Sequence, residues 1–218
     1  MANVLTYKPG ANFFPGETIN RDLVQGQGKA YGAEFSFKKP EGKVNGWFNY
    51  AWSRSRLRSD IERPGDRINN NAWYPSDFDR THVLNTTINF ESDPYNTWSF
   101  NFTAQTGRPY TAANGIVEIE GIETPLFPER NNARLPTYHR LDFSWNVVGT
   151  KREGKRWKGD WTFTIYNVYG RKNPYSIYYN QRNGTENADV FLNSPLRSYE
   201  LSILNSPLLS LTYSFVFQ

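Results

Sequence analysis

The last eleven residues, 208–218, read Leu-Leu-Ser-Leu-Thr-Tyr-Ser-Phe-Val-Phe-Gln. Every second position is apolar or aromatic, and most of the positions between are small and polar; the apolar set is Leu209, Leu211, Tyr213, Phe215 and Phe217. A period of two is that of a β-strand, because successive side chains point to opposite faces. The stretch therefore predicts a strand with one face suited to an apolar medium and one suited to water.

Two environments would suit such a strand: the wall of a transmembrane β-barrel, or a soluble sandwich in which the apolar face meets a second sheet. The chain has 218 residues and a mean hydropathy of −0.72, yet 17% of it is aromatic. A chain this polar tends towards disorder, whereas one this aromatic must pack against something. A transmembrane barrel accommodates both properties, because only alternate residues of its strands are apolar. No apolar run is long enough for a transmembrane helix.

The same alternation recurs along the chain, and with a first short strand at 2–7 it predicts about eight strands. The further segments are 28–38, 45–53, 82–90, 98–105, 140–147 and 160–166. Short turns follow residues 39, 92 and 149, and they alternate with long connections at 57–79, 106–137 and 170–198. Short turns at one end and long loops at the other are typical of outer-membrane barrels.

The face opposite the aromatic residues is rich in side chains that require water or hydrogen-bonding partners. Burying each of them unpaired would cost about 1–3 kcal/mol. They are Asn45, Asn49, Asn85, Asn89, Asn101, Gln105, Arg140, Asp142 and Asn146. The aromatic face is then the one removed from water, and the predicted fold is all-β, an antiparallel up-and-down transmembrane β-barrel whose long loops face the cell exterior.

Six stretches, spread in one order over about residues 24–218, carry a family resemblance. They are Gly28-Lys-Ala-Tyr-Gly-Ala-Glu-Phe, Gly46-Trp-Phe-Asn-Tyr-Ala-Trp-Ser-Arg-Ser, Asp79-Arg-Thr-His-Val-Leu, Thr106-Gly-Arg-Pro-Tyr-Thr, Asn131-Asn-Ala-Arg-Leu-Pro-Thr-Tyr-His-Arg-Leu-Asp and Tyr166-Asn-Val-Tyr-Gly-Arg-Lys-Asn-Pro-Tyr. With them the chain resembles the C-terminal part of the barrel of TonB-dependent outer-membrane receptors of the Bacteroidetes type.

The resemblance implies the outer membrane of a Gram-negative bacterium and uptake of a scarce nutrient such as a siderophore, a glycan or cobalamin. Such receptors are barrels of about 22 strands with an N-terminal plug. Residues 1–218 would supply about the last eight strands, without the plug or the earlier strands. The expected partners are outer-membrane lipid, the remaining strands and plug of the same receptor and, through that plug, the TonB complex. The alternative is a self-contained eight-stranded outer-membrane protein with a structural or adhesive role.

Little in the sequence indicates catalysis or a cofactor. The chain has no Cys, and its two His, His82 and His139, lie on different predicted strands, so we expect no metal site, no cofactor and no enzyme activity. Asp77, Asp79 and Glu91 are interpreted as rim charges, with Asp79 beside Arg80. The basic cluster at 151–158 is interpreted as a solvated turn, so no nucleic-acid partner is expected.

Aromatic residues in or beside the long connections are the candidates for ligand contact. In that position they would stack on a sugar or grip a chelate, or else belong to an aromatic belt and to loop packing. They are Trp73, Tyr74, Tyr110, Tyr175, Tyr178 and Tyr179.

Overall fold

The structure is a computed structural model that describes residues 2–8, 23–119, 122–149, 157–181 and 196–217. The strands in these residues are β1 (Ala2–Tyr7), β2 (Leu23–Lys39), β3 (Val44–Ser59), β4 (Tyr74–Pro75), β5 (His82–Asp93), β6 (Asn96–Gln105), β7 (Pro109–Tyr110), β8 (Gly115–Ile119), β9 (Ile122–Leu126), β10 (Ala133–Arg134), β11 (Tyr138–Val148), β12 (Trp157–Tyr166), β13 (Pro174–Gln181), β14 (Leu196–Ser202) and β15 (Leu208–Phe217).

One antiparallel sheet organises the described part of the chain. Its strands lie in the order β1-β2-β3-β5-β6-β11-β12-β15, and the short β4 pairs with β3. These eight strands, without β4, are the eight that the sequence predicts, so the all-β, antiparallel, up-and-down prediction is confirmed. Within the described residues β1 pairs with β2 alone and β15 with β12 alone, so the sheet is open and no closed barrel is found.

The strand ends and the long connections differ from the sequence prediction. β2 and β3 pair from Gly26–Ser59 to Lys39–Gly46, so both extend beyond the alternating segments at the long-connection end. Backbone pairing does not require that apolar and polar side chains alternate. Residues 54–58, Arg-Ser-Arg-Leu-Arg, pair with β2 without such alternation. The connections hold hairpins of their own: β8 with β9, and β13 with β14. The strand β14, which precedes the last strand in the chain, therefore lies off the main sheet.

The register of the main sheet places the two kinds of side chain on opposite faces. One continuous row of paired residues runs across five strands as Phe90, Trp98, Trp145, Phe163 and Leu211. Another runs across six strands as Asn45, Asn89, Ser99, Ser144, Thr164 and Ser210. Paired residues share a face in an antiparallel sheet. The sheet thus has an apolar face and a polar face, as predicted.

The C-terminal strand β15 follows the same division. Leu209, Leu211 and Tyr213 pair with apolar-face residues of β12, and Phe215 pairs with Gly159. The backbone register sets Phe217 opposite Trp157, but the Phe217 side chain lies outside the described part of the structure.

Aromatic side chains contact one another across neighbouring strands of the apolar face. Trp98 and Trp145 stack with ring centroids 5.7 Å apart. Phe100 and Phe143 are 5.3 Å apart, and Trp161 and Tyr213 are 4.7 Å apart. Cross-strand aromatic pairs contribute about 0.5–1.5 kcal/mol each beyond the area that they bury, so they stabilise this register.

Neither face of the main sheet is covered by a second layer in the described residues. The buried hydrophobic residues among them are Ile68, Tyr74 and Leu135, all in the long connections. The apolar face therefore requires an apolar covering that the described residues do not supply. None of the described helices is long and apolar enough to span a bilayer.

Candidate functional site

The best-buried polar groups lie where the long connections meet the main sheet. The side chain of Asp79 is 1% exposed and forms an ion pair with Arg134. It also accepts a hydrogen bond of 2.5 Å from the backbone N–H of Ser55 in β3. Arg134 donates in addition to the carbonyl oxygens of Asp79, at 2.8 Å, and Gly107, at 3.1 Å. This pair joins the connections 60–81 and 106–137 to each other and to β3. Asp79 thus lies at the end of the sheet, but its side chain is buried, and its ion-pair partner is Arg134 from another connection.

Asparagine side chains also link the connections 60–81 and 106–137 to each other. The Asn131 amide donates to the carbonyl oxygen of Pro75 at 2.8 Å and to Asp77 Oδ1 at 2.7 Å. Asn69 and the backbone of Arg130 exchange two hydrogen bonds of 2.8 and 2.7 Å. Asn69 and Asn131 both have positive φ, which Asn tolerates better than most residues. The bases of the two connections are therefore fixed to each other by hydrogen bonds.

On the polar face, side chains of neighbouring strands bond to one another. Asn49 donates to Glu34 Oε1 at 2.9 Å, and Asn146 donates to Thr162 Oγ1 at 2.8 Å. Arg140 forms an ion pair of 2.8 Å with Asp142, which also accepts from the backbone N–H of Asn167 at 2.8 Å. Most of these groups are only half-buried, so the face combines water contact with internal partners.

Four of the six candidate aromatic residues lie in or beside β13. Tyr110 lies close to Tyr179, and burial raises its pKa, with smaller contributions from Tyr179 and Glu200. The Tyr179 hydroxyl accepts from the backbone N–H of Ala113 at 3.0 Å. Tyr175, 57% exposed, lies under the guanidinium of Arg108, 5.2 Å from its ring centroid.

Tyr178 is also in β13, whereas Trp73 and Tyr74 lie apart from that strand. Tyr178 stacks on Tyr199 across the β13–β14 hairpin, with centroids 5.5 Å apart. The Trp73 ring has the Lys29 ammonium 4.2 Å from its centroid and the Arg58 guanidinium 5.3 Å from it. Tyr74 is 3% exposed, which leaves its ring no open surface, and its hydroxyl has no hydrogen-bond partner among the described residues. The six do not form one site.

A cavity of about 370 Å³ lies over the polar face at the long-connection end, where β6 and β11 meet residues 106–108, 135–136, 173–175 and 203–204. Three of its fourteen lining residues are arginines, Arg80, Arg108 and Arg140, and none is acidic. Of the candidate aromatic residues, Tyr175 lines it.

Sequence reasoning did not select these arginines as a group. Each lies within one of the six quoted stretches, but Arg80 and Arg108 come from two different connections and Arg140 from β11, so no spacing in the sequence joins them. In the described part of the chain there is no group of three or more His, Asp or Glu side chains that could hold a metal ion.

Comparison with known proteins identifies no relative of this chain. No protein-family model matches the chain, and neither a curated protein nor a solved structure matches it.

Proposed function

We propose that this chain is part of the barrel of an outer-membrane TonB-dependent receptor that takes up a scarce nutrient. In this assignment the apolar face of the main sheet lies in lipid, the polar face lines the barrel interior, and the long connections form the extracellular entrance. The remaining strands and the plug of the receptor are its protein partners.

The observation that carries the proposal is the two-faced, single-layer sheet. On the apolar face, Leu211 is 66%, Phe35 60% and Trp161 49% exposed. Soluble monomers rarely expose a contiguous apolar patch larger than a few hundred Å². Lipid would cover this face without a second layer of protein, while the hydrogen-bonded polar face would remain in contact with water.

Strand length supports the same assignment. A β-strand that crosses a bilayer at a tilt needs about 9–11 residues. β6, β12 and β15 have 10 residues each, β11 has 11 and β5 has 12. β2 and β3, of 17 and 16 residues, would extend beyond the bilayer at the end with the long connections.

The open sheet favours a segment of a larger barrel over a self-contained barrel of eight strands. A closed barrel of eight would require β1 to pair with β15, and in the described residues each has a different, single partner. An unpaired strand edge in lipid costs several kcal/mol for each unbonded backbone group, so β15 would need a neighbour from outside these residues.

Growth under nutrient limitation tests the uptake function. The gene is disrupted in the source bacterium, and growth is compared with a complemented strain on limiting iron chelates, cobalamin or glycans. We expect slower growth on one class, restored by complementation or by an excess of that nutrient.

A protonophore provides the control for energised transport, because the TonB complex draws on the inner-membrane proton gradient. Uptake of the affected nutrient should stop when the gradient collapses. Unchanged growth on every class, or uptake that persists with the protonophore, would contradict the proposal.

A further inference from the structure

The cavity at the end of β6 and β11 carries positive charge that the described residues do not neutralise. Arg140 is paired with Asp142 at 2.8 Å. Arg80 donates to the neutral side chain of Gln105. Arg108 donates to the carbonyl oxygen of Tyr175 at 2.9 Å. Within the described ranges neither Arg80 nor Arg108 has a carboxylate partner. Two guanidinium charges therefore remain beside one cavity.

Both guanidinium groups are held in position. Arg108 is fixed between its hydrogen bond to β13 and the Tyr175 ring, and Arg80 is fixed by Gln105 at the end of β6. Each guanidinium has five N–H donors, so each retains donors after these contacts. A planar fork held in this way suits bidentate binding of a carboxylate or phosphate group.

Part of the lining of the cavity is apolar. Leu135, Pro136, Pro174, Ile203 and Leu204 contribute to it, and they come from three segments of the chain. The volume, about 370 Å³, falls within the range of about 300–1,000 Å³ found for small-molecule sites. The cavity thus offers an apolar wall for the body of a ligand and two cations for its charged groups.

We propose that this cavity binds a small organic dianion, with carboxylate or phosphate groups on Arg80 and Arg108 and an apolar body against Leu135 and Ile203. The assignment rests on the proposed uptake function in that it names the ligand class of the entrance. The test of the dianion site measures binding alone. The dianion site can therefore be disproved while uptake is observed, and uptake can be disproved while dianion binding is observed.

Calorimetric titration tests the dianion site on the protein purified in mild detergent in its native assembly. Phenyl phosphate and terephthalate are the probes, and they distinguish phosphate from carboxylate. Phenol is the neutral control, and inorganic phosphate is the control without an apolar body. We expect saturable binding of at least one dianion, weakened by added salt, and no comparable binding of phenol or inorganic phosphate.

Four substitutions, one of them a control, assign the binding to the two arginines. Arg80→Gln and Arg108→Gln should each weaken binding about 10- to 100-fold, the usual range for a lost charge-assisted hydrogen bond. Arg63→Gln is the matched control, since that side chain is 82% exposed and outside the cavity, and it should leave affinity unchanged. Arg108→Lys keeps the positive charge but loses the planar guanidinium, so it should weaken binding less than Arg108→Gln does. This variant tests the site even if Arg108→Gln fails to assemble.

Absence of saturable binding of both dianions would overturn the proposal, as would equal binding of phenol. An equal loss on Arg63→Gln would also overturn it, because general surface charge would then account for the binding.

Discussion

Single residues at the base of the long connections fix the end of the sheet where the cavity lies. Asp79 and Arg134 are 55 positions apart, and their ion pair is possible only once both connections have folded back on β3. The sequence shows the two charged residues but not that they pair. A connection without hydrophobic periodicity does not indicate which of its residues lie next to those of another segment. For the same reason Arg80 and Arg108, which lie in connections, could not be grouped with Arg140 of β11 in advance.

Removing Arg134 should open the base of the connections. Arg134→Gln leaves the Asp79 carboxylate buried without its cation, and loss of one partner of a buried pair costs about 3–5 kcal/mol. If the connections unfold locally, protease cleavage within 60–81 and 106–137 of the native assembly should accelerate at least about a hundredfold.

The control for this prediction is Arg63→Gln. Arg63 and Asp66 are 3.7 Å apart with the Arg63 side chain 82% exposed, and exposed pairs contribute only about 0–1 kcal/mol. Equal cleavage of the two variants would mean that the Asp79–Arg134 pair does not hold the connections.

At the scale of elements, the strands of the main sheet are predictable from the alternation of apolar and polar residues. This alternation identifies the part of each strand that has one apolar and one polar face. Where β3 continues as 54–58, alternation stops but pairing with β2 does not, so the sequence underestimates strand length. The hairpins β8–β9 and β13–β14 lie within the long polar connections, where the sequence favours loops.

The edge strands provide a prediction of their own. If β1 and β15 pair with strands outside these residues, the chain expressed alone with a signal peptide should give no heat-modifiable, protease-resistant monomer in detergent, because its edges remain unpaired. Gel mobility before and after boiling measures this, and the same chain within the larger barrel that the proposed function implies is the control. A compact heat-modifiable monomer with β15 paired to β1 would instead identify a self-contained small barrel.

At the scale of the whole molecule, the division into an apolar and a polar face follows from the sequence, and the register confirms it strand by strand. Whether the sheet closes into a barrel does not follow from the alternation of apolar and polar residues, because closure depends on the number of strands and on their stagger. The position of the long connections at one end is likewise visible in the sequence, whereas the cavity that they enclose depends on how they fold over the polar face.

Cysteine labelling of the two faces in intact outer membranes tests the central claim most directly, and the chain itself has no Cys to interfere. Phe100→Cys and Phe143→Cys probe the apolar face; Asn101→Cys and Asn146→Cys probe the polar face on the same strands. A thiol in apolar surroundings has a raised pKa and is shielded from water, so a water-soluble maleimide should label the polar-face thiols about tenfold faster or more. A membrane-permeant maleimide should label all four. Rapid labelling of Phe100→Cys and Phe143→Cys by the water-soluble reagent, at or above the rate of their polar-face neighbours, would contradict a lipid-facing apolar face.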